Sequence, residues 1–198
     1  MDVHGNTLVL GMSNRLNYIY DLRKLDEPLQ RRDSSLKFMT RAIKLIPTGD
    51  GFLRNTRRAL ILAFVSSSIE GRIAYDWIDP TRQAQNYAFR AHRIENPATK
   101  VNTVYPVNTL AFHPVHGTFA SGGGDGSIAI WDPTARKRVK YYGPDFGGSI
   151  ATVGFSVDGH WMGVAVSVGD DGSGAVEGRG AGRIVVRELA ENEGRRKA

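Results

Sequence analysis

Three arginines stand out as side chains whose type and placement suit binding chemistry. Arg72 directly follows an acid-glycine step that is typical of a tight turn, and Arg90 and Arg93 lie in an extended stretch, Asn86–Arg93, on either side of a histidine. A guanidinium presents a planar fork of donors that matches a carboxylate or a phosphate. These arginines predict a site for anionic groups, and ordinary surface ion pairs are the competing interpretation.

No arrangement of residues in the sequence is typical of a catalytic centre. The 5 histidines do not have the short spacings of metal ligands, and the count of cysteines is 0. A nucleophile elbow and a phosphate-binding glycine loop are also missing from the sequence. We therefore predict a protein that is not an enzyme and that uses no metal, no cofactor and no small-molecule ligand.

Charge gives a weaker indication of the partner's chemistry. The 198 residues include 26 lysines and arginines against 20 acidic residues, for a formal charge of +6. This balance favours acidic partners, although a basic surface that is merely solvated has the same composition. The basic run Arg136–Lys140 lacks the interleaved aromatic residues of single-strand nucleic-acid binders.

The apolar run Ala59–Val65 is far shorter than a membrane span of about 20 residues. Neither nucleic acid nor a membrane is predicted as a partner.

The stretch from Ala111 to Pro133 predicts the elements that would position such a site. It reads as three short strands joined by tight turns, with small residues in the middle strand. The Asp125-Gly126 step suits a two-residue hairpin turn, because its central positions need positive φ. The last strand is apolar and ends in the pair Trp131-Asp132. This pattern is typical of one blade of a WD-repeat β-propeller.

Similar turn-and-strand units recur along the chain, which predicts an all-β repeat architecture. Their turn glycines, Gly71, Gly126 and Gly182, follow one another at nearly equal spacing. We expect the chain to begin inside a blade, without an inner partner strand. The predicted organisation is a partial propeller over residues 1–190, with an insertion at 53–63 and a glycine-rich loop at 169–182, followed by a frayed charged tail over 191–198.

Several longer blocks resemble the WD-repeat adaptor family of the mitotic spindle-assembly checkpoint. A sister family, the propeller messenger-RNA export factors that dock on a nucleoporin, is similar over the same blocks and stays the alternative. The resemblance implies about three and a half blades, the C-terminal half of a seven-bladed propeller, and thus a fragment. The blocks are YDLR at 20–23, PLQRRDSSLKFMTRAIK at 28–44, SSIEGRIA at 67–74, YAFRAHR at 87–93, YPVNTLAFHPVHGTFASGGGDG at 105–126 and IWDPTARKR at 130–138.

The resemblance also implies a site and its partners. Family members bind acidic, extended motifs of a checkpoint kinase and its paralogue, and phosphorylated repeats of a kinetochore scaffold, at the top surface of the propeller. Carried over to this sequence, that role falls on Arg72, Arg90 and Arg93, with Tyr105 and Asn108 as further peptide contacts. The implied location is the nucleus and the kinetochore, with the cytoplasm as a second possibility.

Overall fold

The computed structural model describes residues 1–47, 63–167, 182–190 and 192–195, and these residues form mainly antiparallel β-strands. The first sheet contains β1 (Asp2–His4), β2 (Thr7–Gly11), β3 (Leu16–Asp21) and β4 (Gln30–Asp33). The second contains β5 (Thr40–Leu45), β6 (Ala63–Ser68), β7 (Arg72–Trp77) and β8 (Tyr87–Arg90), with a short 3-10 helix, Pro80–Gln85, between its last two strands.

A small hairpin and two further sheets follow. The hairpin pairs β9 (Arg93–Glu95) with β10 (Asn102–Val104). The third sheet contains β11 (Val107–Phe112), β12 (Phe119–Gly123), β13 (Ile128–Asp132) and β14 (Lys137–Tyr142). The fourth contains β15 (Ser149–Phe155), β16 (Trp161–Ser167) and β17 (Arg183–Glu188).

Neighbouring sheets pack against each other in chain order, because the apolar side of each sheet must be covered by the next. Three buried clusters lie between consecutive pairs of sheets. Antiparallel sheets stacked in this way are successive propeller blades, which confirms the predicted all-β, partial WD-repeat fold. Central members of the three clusters are, in turn, Ile19 and Phe64, Ile73 and Phe119, and Ile130 and Ile150.

The tight turn predicted at Asp125-Gly126 is present, but it is not the two-residue type. Gly123 and Ser127 pair across three residues, of which only Gly126 has a positive φ. Gly126 has a φ of +75°, the left-handed conformation that a tight hairpin turn requires. On either side of the turn, Gly122 pairs with Ile128 and Phe119 with Trp131. The strand ending in Trp131-Asp132 therefore lies where the sequence predicts it.

The expectation that the chain begins inside a blade, without an inner partner strand, is wrong. The three residues of β1 pair with β2, from Asp2 opposite Val9 to His4 opposite Thr7. A two-residue turn joins these strands, and Gly5 adopts a φ of +55° within it. So short a strand carries too little alternation to be recognised from its own residues.

The extended stretch predicted from Asn86 to Arg93 is not one strand. It divides into β8 and β9, because His92 between them adopts a left-handed φ of +49°. Non-glycine residues adopt this conformation only when their surroundings stabilise it. Arg90 and Arg93 consequently belong to different strands, and their relative placement depends on His92.

The remaining sequence expectations fall partly outside the described residues. Of the predicted insertion only Ala63 is described, as the first residue of β6, and of the glycine-rich loop only Gly182. Within the described part of the charged tail, Glu193 and Gly194 are buried, so the expectation of a frayed tail does not hold for these two residues. Glu193 lies 2.9 Å from the Lys140 ammonium, and Thr118 donates a 2.7 Å hydrogen bond to the carbonyl of Gly194.

Candidate functional site

The turn between β6 and β7 fixes the position of Arg72. Gly71 in this turn has a φ of +63°, and a Cβ there would lie 2.7 Å from the carbonyl oxygen of Ala91 and 2.9 Å from that of Tyr105. Only glycine fits both the conformation and the close approach of the passing chain. Arg72 follows as the first residue of β7, at the edge where the chain crosses towards the third sheet.

The structure brings the three predicted arginines together. Arg72 and Arg90 are opposite each other on neighbouring strands, and Arg93 donates a 3.0 Å hydrogen bond to the carbonyl of Glu70. Burial, followed by the positive charges of Arg90 and Arg72, lowers the pKa of Arg93, while Glu70 acts in the opposite direction. We call Arg72, Arg90 and Arg93 the arginine rim.

Positive charge is in excess at the arginine rim. The carboxylate of Glu70 lies 3.6 Å from Arg72 Nε, which is too long for a hydrogen bond. Among the described residues, Glu70 Oε1 and Arg93 Nε are buried without a hydrogen-bond partner. Arg90 is exposed, and it forms no ion pair with any residue that the structure describes. Internal ion pairing therefore accounts for only part of this cluster.

Tyr105 lies beside the rim, with its carbonyl oxygen close to Gly71, whereas Asn108 lies where the second, third and fourth sheets meet. The backbone N–H of Tyr105 donates to the carbonyl of His92 at 3.1 Å, and its side chain is half-buried. Asn108 Nδ2 donates to Ser149 Oγ at 3.0 Å and to the Ile150 carbonyl at 2.9 Å. Asn108 thus ties the third sheet to the fourth.

Arg41, the second residue of β5, contacts Asn108 and was not identified from the sequence. Its guanidinium donates a 2.9 Å hydrogen bond to Asn108 Oδ1, which links the second sheet to the third. The residue is exposed and lies in a segment where basic and apolar residues alternate. That alternation is the signal that could have identified it, since it predicts a basic outward face.

A buried polar network fixes His92, which lies between Arg90 and Arg93 in the chain. His92 Nε2 lies 2.9 Å from Ser121 Oγ, and His92 Nδ1 lies 2.9 Å from the carboxylate of Asp125 and 3.1 Å from Ser127 Oγ. Trp131 Nε1 donates to the same Ser121 hydroxyl at 2.8 Å. These five residues, His92, Ser121, Asp125, Ser127 and Trp131, form what we call the His92 network.

The electrostatics of Asp125 show how tightly this network is satisfied. Burial by itself raises the pKa of Asp125, but hydrogen bonds with His92 and Ser127 outweigh it and hold the pKa below the ordinary value. The sequence did not predict the network, because its members are far apart in the chain. His92 lies between β8 and β9, whereas the other four residues belong to β12, β13 and the turn between them. The network fixes His92 and so sets where Arg90 and Arg93 emerge.

Among the described positions, no three histidine, aspartate or glutamate side chains are grouped so that they could hold a metal ion. No helix in this part of the chain is both long and apolar enough to cross a membrane.

Comparison with known proteins gives one family match and several relatives. The WD domain, G-beta repeat, matches residues 98–132. The chain is 43% identical to the mitotic checkpoint protein bub-3 of Caenorhabditis elegans, over 84% of the chain and 46% of that protein. It is 40% identical to the spindle assembly checkpoint protein bub3 of Schizosaccharomyces pombe, over 86% of the chain and 49% of that protein.

A relative from the sister family is also found. The messenger-RNA export factor GLE2 of Chaetomium thermophilum is 34% identical, over 84% of the chain and 43% of that protein. The chain therefore spans about half the length of the curated relatives it matches. Its four sheets and its matched repeat show a WD-repeat fold, and these relatives confirm its resemblance to the mitotic checkpoint family.

Proposed function

We propose that this chain is the peptide-binding part of a non-enzymatic spindle-assembly-checkpoint adaptor that acts at kinetochores in the nucleus. Its ligands are the acidic, extended motifs of a checkpoint kinase and its paralogue, and phosphorylated repeats of a kinetochore scaffold. The arginine rim binds them, with Tyr105 and Asn108 alongside. The observation that carries the proposal is the placement of Arg72, Arg90 and Arg93 so close together that the charges of the first two act on Arg93, with Glu70 as the one acid acting against them.

Charge explains why a phosphorylated segment suits this site. A phosphothreonine carries about −1.5 to −2 charges at pH 7 and three strong acceptor oxygens. One glutamate cannot neutralise three arginines, so an anionic ligand relieves their mutual repulsion. Arg90, which is exposed and without an ion pair among the described residues, is the donor best able to reach a ligand.

A direct titration tests this assignment. A fluorescein-labelled phosphothreonine peptide rich in acidic residues is titrated with the full chain, and binding is followed by anisotropy. We expect Arg90→Ala to weaken binding by about tenfold or more, since hydrogen bonds to charged groups contribute about 1.5–3 kcal/mol. The matched control is Arg31→Ala on β4, which removes the same charge from another exposed arginine.

The control and the peptide separate the possible outcomes. Binding that is unchanged by Arg90→Ala, or weakened equally by Arg31→Ala, would show that the rim is not the site. The unphosphorylated peptide should bind more weakly than the phosphorylated one. Thermal unfolding of each variant verifies that the fold is intact.

The export-factor alternative has its own support in the 34% identity to GLE2. Its identity is lower than the 43% and 40% found with the two checkpoint proteins, so the checkpoint function is favoured. Pull-down with a nucleoporin peptide against a checkpoint-kinase peptide separates the two functions. Retention of the nucleoporin peptide alone would favour export.

A further inference from the structure

A pocket with a volume of about 290 Å³ lies between the second and third sheets. Ligand sites span about 300–1,000 Å³, so this volume suits one or two side chains rather than a large small molecule. Tyr87, Phe89 and Trp131 supply aromatic walls, and the exposed residues Arg136 and Lys137 also line it. Tyr87 begins β8 whereas Arg90 ends it, so this side pocket opens towards the other end of β8 from the arginine rim.

The polar atoms of the pocket wall are already used within the protein. The Tyr87 hydroxyl donates to the Pro133 carbonyl at 2.7 Å, and Trp131 Nε1 donates within the His92 network. The carboxylate of Asp132 is buried and accepts a 2.8 Å hydrogen bond from the backbone N–H of Thr134. The wall therefore offers a ligand mainly apolar and aromatic surface.

The opening of the side pocket is positively charged. The guanidinium carbon of Arg136 lies 4.4 Å from the ring centroid of Tyr87. Within the described residues the ammonium of Lys137 has no hydrogen bond or ion pair. Since Asp132 is buried and engaged, the charges left facing solvent at this opening are cationic.

We propose that the side pocket binds an acidic peptide segment carrying one large apolar side chain. That side chain fills the space among Tyr87, Phe89 and Trp131, and neighbouring carboxylates meet Arg136 and Lys137. The position of β8 suits such a ligand, because β8 ends the strand order of the second sheet and leaves an edge to which an extended segment can pair. This site is separate from the arginine rim and adds a second contact for a protein partner.

Two other classes of ligand fit the side pocket less well. A nucleic-acid base needs an open aromatic face, but Tyr87 is stacked on Tyr75 at 5.3 Å on one side and meets Arg136. Phe89 packs against Trp131 with ring centroids 4.8 Å apart. A cationic ligand, such as a methylated lysine, would be repelled by the two basic residues at the opening.

The experiment uses the full chain and a labelled pentapeptide, acetyl-Glu-Asp-Phe-Asp-Glu-amide, in an anisotropy titration. We expect replacement of the peptide's Phe by Ala to weaken binding about tenfold or more, as burial of an aromatic side chain predicts. Lys137→Glu should weaken binding about fivefold or more. Lys24→Glu is the matched control, because it makes the same charge change at an exposed lysine in the link between β3 and β4.

A second set of measurements separates this site from the arginine rim. Because the acidic residues of the pentapeptide can also meet the arginine rim, the decisive quantity is the difference in affinity between the Phe and Ala pentapeptides. We expect Arg90→Ala to leave that difference unchanged and Lys137→Glu to leave phosphothreonine-peptide binding unchanged. Three results overturn the proposal: equal affinity of the Phe and Ala peptides, equal effects of Lys137→Glu and Lys24→Glu, or loss of the difference between the Phe and Ala peptides in Arg90→Ala. Displacement of the pentapeptide by a ten-nucleotide oligouridine would show instead that the pocket binds nucleic acid.

Discussion

Two turns at equivalent places in the second and third sheets are followed by residues with different roles: an arginine of the arginine rim in one and a serine of the His92 network in the other. Gly71 and Gly126 both adopt a positive φ, of +63° and +75°, and each is preceded by an acid. After Gly126 comes Ser127, whose hydroxyl donates to Asp125 at 2.7 Å inside the His92 network. After Gly71 comes Arg72, which extends the arginine rim. The same backbone device therefore supports a closed internal network in one blade and an open basic surface in the next.

The comparison extends into the strands behind the turns. Ser121 pairs with Ala129 in the third sheet as Ser66 pairs with Ala74 in the second. The hydroxyl of Ser121 is bonded to both His92 and Trp131, whereas Ser66 Oγ is buried without a partner among the described residues. The equivalent serine therefore joins a polar network in the third sheet but not in the second.

The largest expected effect comes from making the same substitution at these two serines. Ser121→Ala leaves the buried nitrogens of His92 and Trp131 without their common partner, which should lower the free energy of unfolding by about 2–4 kcal/mol. Ser66→Ala removes a hydroxyl that has no partner, so its effect should stay within about 0.5 kcal/mol. Urea unfolding of both variants measures the difference. Equal destabilisation would show that the His92 network does not distinguish the two blades.

Carboxylate titration sharpens the same comparison. The pKa of Asp125 is lowered in the folded protein, so its stabilising contribution is complete above the unfolded value of about 3.9 and is lost as pH falls through the folded pKa. Burial raises the pKa of Asp76 in the second sheet. A hydrogen bond from Ser35 and the charge of Arg32 lower this pKa, but they offset the effect of burial only in part. Stability linked to Asp76 therefore decreases as pH rises from the unfolded towards the folded pKa.

The two acids consequently predict opposite results for Asn substitution at pH 7. Asp125→Asn should lower the free energy of unfolding by about 1–3 kcal/mol, and the difference should shrink as the solution is acidified. Asp76→Asn should raise it or leave it unchanged. Urea unfolding at several pH values between 3 and 7 provides the measurement, and a common sign for the two variants would contradict it.

A smaller effect on stability is expected from alanine at the two turn glycines. Both positions have positive φ, so Gly71→Ala and Gly126→Ala should each cost about 1–2 kcal/mol. A Cβ on Gly71 would lie 2.7 Å from the Ala91 carbonyl oxygen, beside Arg90, whereas a Cβ on Gly126 would lie 2.9 Å from the Gly148 carbonyl oxygen, in the link to the fourth sheet. Gly71→Ala should therefore weaken phosphothreonine-peptide binding, while Gly126→Ala leaves it unchanged. Parallel thermal unfolding and anisotropy titrations test this. Equal losses of affinity in the two variants would contradict the claim that the turn at Gly71 positions the arginine rim.

Local sequence patterns predicted much of the fold but not the contacts that join distant segments. The Asp125-Gly126 turn, and the placement of Arg72 after a turn, depend on residues that are adjacent in the chain. The break at His92 could not be predicted, because its left-handed conformation is stabilised by residues about thirty positions further along the chain. The pairing of β1 and the role of Asn108 between sheets likewise depend on partners that local alternation does not specify.

The most direct test of the arginine rim replaces its arginines with serine, the residue that follows the turn glycine in the third sheet. The double variant Arg72→Ser, Arg90→Ser keeps both strands and removes two guanidinium groups. We predict that its affinity for the phosphothreonine peptide falls at least about tenfold, with an unfolding transition that matches the wild-type chain. An affinity equal to that of the wild-type chain would contradict the assignment of the rim as the binding site.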